Sequence, residues 1–218
     1  MEKLVECKLG EINLPQFDDI TSLPEGVCPV DRVMTNLKTA GDISCGMSVM
    51  CRDGITQLLL IIGDIASGKG SIEDLDLLKE ICQIAETTSG CELAKKVSAN
   101  ILYSLENYIY EWEQHCKRKR CTAMICKNCY SLYIDPAACA GCGKCLEDAP
   151  KDSIFGGAGM VHVISNQQQL VECNCDIISK CPSEAIKKAI APVAGLPQQP
   201  IPVGSVAEGA PRKRRRER

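Results

Sequence analysis

Apolar residues recur at helical spacing through the first half of the chain and lose that period in the second. From Cys28 to about His115 the pattern is helical. A short first helix is predicted over 29–38, and a second opens at Arg52 and runs to Ile62, with Asp53 in its first turn, where an acidic side chain suits the helix dipole. Gly63 to Gly70 reads as a turn. Ser71 then caps a third helix reaching about Ala85, with Glu73 and Asp74 in its first turn. Leu93, Val97, Ile101, Leu105, Ile109 and Trp112 recur at spacings of three and four and predict a fourth, long helix. Four helices with short connections imply an antiparallel bundle. Beyond His115 the period disappears: Tyr133–Ile134 and Val161–Ile164 are strand candidates, and Ser183 to Lys188 is a candidate short helix.

The expected fold class is therefore α followed by α+β. It comprises an extended lead-in (1–27), a four-helix-bundle domain (28–115), a Cys/His junction (116–131), a small α+β domain (132–190) and a Pro-rich tail (191–218). The net charge of −3 conceals an asymmetry, because residues 192–218 carry six basic and two acidic side chains on an otherwise acidic body. An acidic body argues against nucleic acid as a partner. The tail has five prolines and no apolar period, so it is expected to be disordered and solvated.

Cysteine changes the picture most: 16 of 218 residues. Such a chain is either an exported disulfide scaffold or a metal protein. The first residues, MEKLVECKLGEINLPQFDD, hold acidic groups where a signal peptide needs an apolar core, and the longest apolar run, Leu58 to Ile62, is too short for a bilayer. A cytoplasmic location, reduced thiols and metal ligation are the expectation.

The strongest motif is Cys139-x2-Cys142-x2-Cys145. Three thiolates at this spacing wrap one 4Fe–4S cube, and Ala140, Gly141 and Gly143 let backbone amides approach it. A bacterial-type ferredoxin places its next cysteine three residues on, before proline; here that position is Ala149, followed by Pro150. Cys181-Pro182-Ser183-Glu184-Ala185-Ile186 echoes Ala149-Pro150-Lys151-Asp152-Ser153-Ile154 at an interval of 32 residues. In two-cluster ferredoxins the cysteine before proline serves the other motif's cluster. One cluster then uses Cys139, Cys142, Cys145 and Cys181, all present. The other would use positions 149, 171, 174 and 177, which are Ala149, Val171, Asn174 and Ile177. The pattern describes a ferredoxin-like domain that keeps one cluster and has lost the second. Zinc or idle buried thiols are the competing reading. Cys173 and Cys175 fall outside the frame and read as inert or redox-labile thiols.

Ser44-Cys45-Gly46-Met47-Ser48-Val49-Met50-Cys51-Arg52-Asp53-Gly54 resembles the S-C-G-x-C-x-x-C-R-x-G loop of the flavin- and NADH-binding subunit of respiratory complex I and of bifurcating, NAD(P)-linked hydrogenases. Cys28-Pro29-Val30-Asp31 is similar to that family's lead into its first helix. Gly68 to Leu78 is similar to its interhelical turn, and Thr87-Thr88-Ser89-Gly90-Cys91 falls where it places a distant fourth cysteine. His115, Cys121 and Cys126 match the junction to a ferredoxin-like tail in the hydrogenase-type members. The resemblance spans roughly 28–188.

It implies a second cluster held by Cys45, position 48, Cys51 and Cys91. Position 48 is serine, a weak iron ligand. A 4Fe–4S cluster with serine or an outside ligand, a 3Fe–4S cluster, or three packed thiols with no cluster all remain open. The family's flavin and NADH domain precedes this region and does not fit in the 27 residues before Cys28, so neither FMN nor NAD is expected on this chain. Gly63-x4-Gly68-Lys69-Gly70 nearly spells a phosphate-binding loop, but it ends in glycine and follows a helix. His115-x5-Cys121-x4-Cys126, completed by Cys129 or Cys116, has the donor set of a structural zinc that would staple the long helix to the ferredoxin-like domain. A flexible basic linker is the alternative. His162 reads as structural, in an apolar strand.

No acid–base pair, nucleophilic triad or open catalytic metal is visible. The expectation is an electron-transfer subunit or module without catalysis of its own. By resemblance its partners would be a flavin/NADH-binding subunit or a hydrogenase- or formate dehydrogenase-type subunit. The alternative is a structural or regulatory assembly subunit whose metals hold shape or sense redox state.

Overall fold

The computed structural model describes residues 17–173 and 176–205. The chain divides into two compact units, Met1–Cys129 and Tyr130–Arg218. The first is helical. The second has, among its described residues, short helices and three two-stranded antiparallel ribbons.

In the first unit α1 spans Pro29–Ile43, a π-helical turn covers Met50–Gly54 and runs directly into α2 at Ile55–Ala66, and α3 and α4 follow at Glu73–Thr88 and Glu92–Asn107. Pro29 suits the first turn of α1 because its missing N–H would have had no intrahelical partner there. Helix α1 continues five residues beyond the expected Lys38 because Ala40 keeps the apolar stripe going. It packs against α2 and α4, and α3 packs against α4. Leu37, Leu58, Ile62, Ile65, Leu78, Ile101 and Leu105 are all fully buried and form one core.

Two local expectations change. Ser71 does not cap α3 with its hydroxyl; Ile72 holds the N-cap position, and the Asp74 carboxylate accepts the Ser71 amide at 2.7 Å. The long last helix breaks at Tyr108, whose φ of −124° is non-helical, and resumes as α5, Ile109–Glu113. Trp112 is still brought into the core across the break, where its indole N–H donates to Ser104 Oγ at 3.0 Å. A second π-helical turn, Gln114–Arg118, follows and ends at Lys119, which has a left-handed φ of 53°.

The near phosphate loop is a helix terminus. The amides of Lys69 and Gly70 both donate to Asp64 O, at 2.8 and 3.0 Å, so they are spent on capping α2. Gly70 is pressed on Ile65, which a Cβ would meet at 2.4 Å.

In the second unit β1 (Ser131–Ile134) pairs with β5 (Ile186–Ala189), Ser131 opposite Ala189 and Ile134 opposite Ile186. Strand β2 (Ile154–Phe155) pairs with β4 (Val163–Ile164), and β3 (Met160–Val161) pairs with β6 (Ile201–Pro202). Helices α6 (Lys144–Asp148) and α7 (Gln167–Glu172) complete the unit. The run Ser183–Lys188 is a turn and then a strand, not the expected helix. The Ile186 side chain is buried while Lys187 and Lys188 are exposed, and the segment gains a ladder partner in β1. The strand expected over Val161–Ile164 is split between two ribbons at His162.

Part of the expected disordered tail is ordered: Ile201 packs on the second core, and β6 adds an edge strand in which a proline is tolerated. Residues 206–218, with the basic run, lie outside the described residues, as does Asn174.

The 32-residue echo is visible in the backbone. Asp152 and Glu184 occupy equivalent places in the two repeats and both adopt left-handed φ, 65° and 48°. Each turn is followed by a strand, β2 or β5, which starts at the matching isoleucine.

Candidate metal centres

Among the described residues Cys28, His115, Cys121 and Cys126 gather with donor atoms that all lie within 4.8 Å of one another, all four residues buried. Cys28 Sγ lies 3.6 Å from His115 Nε2 and 3.6 Å from Cys126 Sγ. A tetrahedron around one ion with bonds of about 2.3 Å has edges of about 3.75 Å, so the spacing fits a single zinc-sized ion. It is too tight for a cube of iron and sulfide.

Several local features position these side chains. Cys28 stands at the N-cap of α1. His115 lies in the π-helical turn after α5, and its Nδ1 is 2.7 Å from Glu111 O. A histidine that donates its Nδ1–H to a carbonyl presents Nε2 to a metal. Burial opposes charge on His115, but its hydrogen bonds with Cys121 and Cys28 win and raise it to about 10. The hydrogen bonds with the Cys126 and Cys28 thiols hold Cys121 well below the ordinary thiol range, and the same contacts push Cys126 well above it, so Cys121 and Cys126 share a proton.

The sequence expectation placed Cys129, with Cys116 as the other option, in this set. The structure puts Cys28 there instead. Cys129 points to the end of α2, its Sγ 3.6 Å from Ala66 O, and burial raises its thiol to about 12. Burial likewise raises Cys116 to about 11. Both suit protonated, structural thiols. All four gathered residues belong to the first unit, so the set ties the start of α1 to the segment after α5, 87 residues later.

A second grouping surrounds the Ser44–Met50 loop. Cys51 is buried at the π-helical turn and Cys91 at the N-cap of α4, while Cys45 is half-buried. Burial works against ionisation of Cys51, but the Ser44 hydroxyl, 2.8 Å from its Sγ, the Gly46 amide and the Cys91 and Cys45 thiols together lower it. Cys91 moves the other way, raised by burial first. The remaining position, Ser48, turns its hydroxyl to accept the Cys51 amide at 3.1 Å, a helix-capping role.

The third grouping lies in the second unit. Cys139, Cys142, Cys145 and Cys181 line one small cavity, together with Ala140, Ile134, Pro182, Ala185, Ile186 and His162. Gly141 and Gly143, both at left-handed φ, shape the loop, and Gly159 N donates to Gly141 O. Ala185 N lies 3.4 Å from Cys181 Sγ. Burial opposes ionisation of Cys181, yet the Ser183 hydroxyl and the amides of Ala185, Ser183 and Ile186 lower it, a pocket prepared for a thiolate. Cys145 is raised to about 11 by burial and by the other three thiols. An apolar cavity with four converging sulfurs and an amide already directed at one of them fits a 4Fe–4S cluster.

Of the positions a second cluster would use, Ile177 is buried in the core of the second unit, Ala149 packs against that core, and Val171 is buried. Cys173 is in a disulfide, not a free thiol, and Cys175 lies outside the described residues.

Residues 32–115 match the iron–sulfur binding region of NADH-ubiquinone oxidoreductase F. This region holds Cys45, Ser48, Cys51 and Cys91 and ends at His115. The chain is similar to the NADP-reducing hydrogenase subunit HndC of Solidesulfovibrio fructosivorans, 32% identical over 161 residues, which is 74% of this chain and 32% of that protein. It is also 32% identical over 113 residues to an NADH-quinone oxidoreductase subunit of Streptomyces coelicolor, covering 52% of this chain and 24% of that one. Over 65 residues it is 37% identical to the NADP(+)-dependent formate dehydrogenase subunit beta of Moorella thermoacetica, covering 30% of this chain and 9% of that one. The chain thus spans about a third or less of the curated relatives it matches. The resemblance to the iron–sulfur region of NAD(P)-linked oxidoreductase subunits holds, and it supports an electron-transfer module. No helix among the described residues is long and apolar enough to cross a membrane.

Sequence spacing missed Cys28 as a member of the Cys/His gathering, although the Cys28-Pro29 start of α1 marked it, because nothing local pairs it with a histidine 87 residues on. It also missed His162, which lines the Cys139 cavity.

Proposed function

We propose that this chain is a one-electron transfer module of a cytoplasmic NAD(P)-linked redox complex, hydrogenase- or formate dehydrogenase-like, with a ferredoxin-like domain after a four-helix iron–sulfur bundle. The observation that carries it is the convergence of Cys139, Cys142, Cys145 and Cys181 on one apolar cavity, in a chain whose relatives are subunits of such enzymes. A 4Fe–4S cluster bound there supplies reversible one-electron storage. The chain's own part is to fix four thiolates, supply the Ala185 amide to one of them, and keep water from the inner wall with Ile134, Ala185 and Ile186. Cys142 is the exposed ligand, which puts the outward edge of the site within reach of a partner.

Cys45, Cys51 and Cys91 would hold a second cluster, with Ser48 or an outside group completing it. Cys28, His115, Cys121 and Cys126 would hold zinc, whose part is structural: a closed Cys3His set leaves no open position for substrate. The reacting partners would be a flavin/NADH-binding subunit and a hydrogenase- or formate dehydrogenase-type subunit.

The test is iron, sulfide and zinc per polypeptide in anaerobically purified full chain, with electron paramagnetic resonance after reduction. About four irons lost on Cys139→Ala and also on Cys181→Ala, with a reversible signal, supports the module. The closed Cys3His set favours a second reading, an assembly or redox-sensing subunit. Zinc without iron, or iron that resists reduction, would establish that reading instead.

A further inference from the structure

His162 separates β3 from β4 and is only 2% exposed. Its Nδ1 lies 3.7 Å from Cys139 Sγ. Its other nitrogen, Nε2, is buried and has no hydrogen-bond partner among the described residues. A buried polar atom without a partner is destabilising, because it has given up water and gained nothing in return. An apolar residue of the same shape would avoid that loss. A histidine whose only role was to fill the core between Val161 and Val163 leaves it unexplained.

The ring is also held in place. Gly156 lies flat against its far edge: a Cβ there would stand 2.1 Å from Cδ2 and 2.8 Å from Nε2. Any side chain at 156 would therefore displace the ring. With that edge against Gly156, the near edge, carrying Nδ1, is turned to Cys139 and the cavity wall. The chemistry of the pair assigns the tautomer. A ligating thiolate has no proton to donate, so the contact is favourable only when Nδ1 carries the hydrogen, which leaves Nε2 as the bare acceptor. The orphaned nitrogen and the sulfur contact are thus two consequences of one orientation.

We propose that His162 is a positioning residue of the Cys139–Cys142–Cys145–Cys181 site, donating its Nδ1–H to the Cys139 sulfur and thereby setting the site's reduction potential. The inference rests on the reading of that site as a 4Fe–4S centre. Hydrogen bonds to the sulfurs are among the groups that set such potentials. Adding an electron increases the negative charge on the cluster and its thiolates, so a donor on a thiolate favours the reduced form. Removing the donor makes the centre harder to reduce. Among the described residues the ring's hydrogen bond to a cysteine of the site is the one to Cys139, so the effect enters through that ligand.

The experiment is a potentiometric titration, followed by electron paramagnetic resonance at one fixed pH, on anaerobic full-length protein. The signal followed is the one that Cys139→Ala abolishes. Three variants divide the possibilities. His162→Leu keeps bulk and removes both nitrogens. His162→Asn places an amide N–H where Nδ1 stands. His162→Gln carries its amide one bond further, near the Nε2 position, and so retains polarity without the donor. With iron content unchanged, Leu and Gln should lower the reduced fraction about tenfold relative to oxidised at a given ambient potential, a downward shift of about 59 mV for one electron. Asn should restore most of the shift. If Leu costs the cluster itself, the Asn and Gln pair still decides, since they differ in donor position and not in polarity. Full iron with a wild-type midpoint in Leu or Gln overturns the proposal, as does Asn shifting as far as Gln. Wild-type protein with no iron at this site overturns both the proposal and the reading beneath it. Iron with an indifferent His162 overturns the proposal alone.

Discussion

Replacing Cys28 with alanine removes one donor from the buried Cys28, His115, Cys121 and Cys126 set and opens a tie between chain segments 87 and 98 residues apart. In the chain-entropy account of cross-links, closing a loop of about 90 residues constrains the unfolded state by about 4.6 kcal/mol. An ion held by both segments closes the same loop. A domain's whole stability is about 5–15 kcal/mol, so this one contact is a large share of it. At about 4 °C per kcal/mol for a unit of this size, the first unit should lose about 15–20 °C in Tm along with one equivalent of zinc. The comparison variant is Cys129→Ala, since Cys129 is as buried but directs its thiol to the end of α2. It should keep its zinc and lose no more than an ordinary core change, about 0.5–3 kcal/mol. The assay is metal content by mass spectrometry beside thermal unfolding followed at Trp112, the single tryptophan. Full zinc and an unchanged Tm in Cys28→Ala would refute the assignment, and so would zinc loss confined to Cys129→Ala.

Other outcomes follow from the same geometry. Ser48→Cys should raise the iron held at the Cys45, Cys51 and Cys91 site, at the cost of the cap that Ser48 provides to Cys51 N, and iron per chain in the Cys139→Ala background reads the result. Trp112→Ala should destabilise the first unit by about 3–5 kcal/mol, because it empties a fully buried position and orphans Ser104 Oγ; urea unfolding by circular dichroism measures this. Asp135 is held below its usual carboxylate value chiefly by Lys187, 2.7 Å away across the β1–β5 ribbon. Its contribution is therefore fully present above the unfolded value of 3.8 and is lost as pH falls through the lower folded one. Asp135→Asn should flatten that acid limb in a pH series of unfolding midpoints, and a limb of unchanged slope would exclude the pair as its source.

The sequence determined much of this protein because its signals are local. The apolar periods of α1 to α4 needed only the 3.6-residue repeat, and Cys139, Cys142 and Cys145 needed only their spacing along one loop. The 32-residue echo carried one long-range fact, that Cys181 answers Ala149, because the two halves repeat a single turn; Asp152 and Glu184 share its left-handed backbone. What lacked a local signal depended on tertiary contact. Ser183–Lys188 has residues that could form a helix, and pairing with β1 makes it a strand instead. Leu196 and Ile201, in a stretch whose prolines suggest disorder, find a surface on the second unit. Cys28 and His115 meet only because α1 and α5 pack against each other. His162 reads as one more buried strand residue until the folded chain sets Gly156 against one edge of its ring and Cys139 at the other. Spacing along a chain can specify which donors share a loop, but which distant donor completes a site depends on how the helices and ribbons pack.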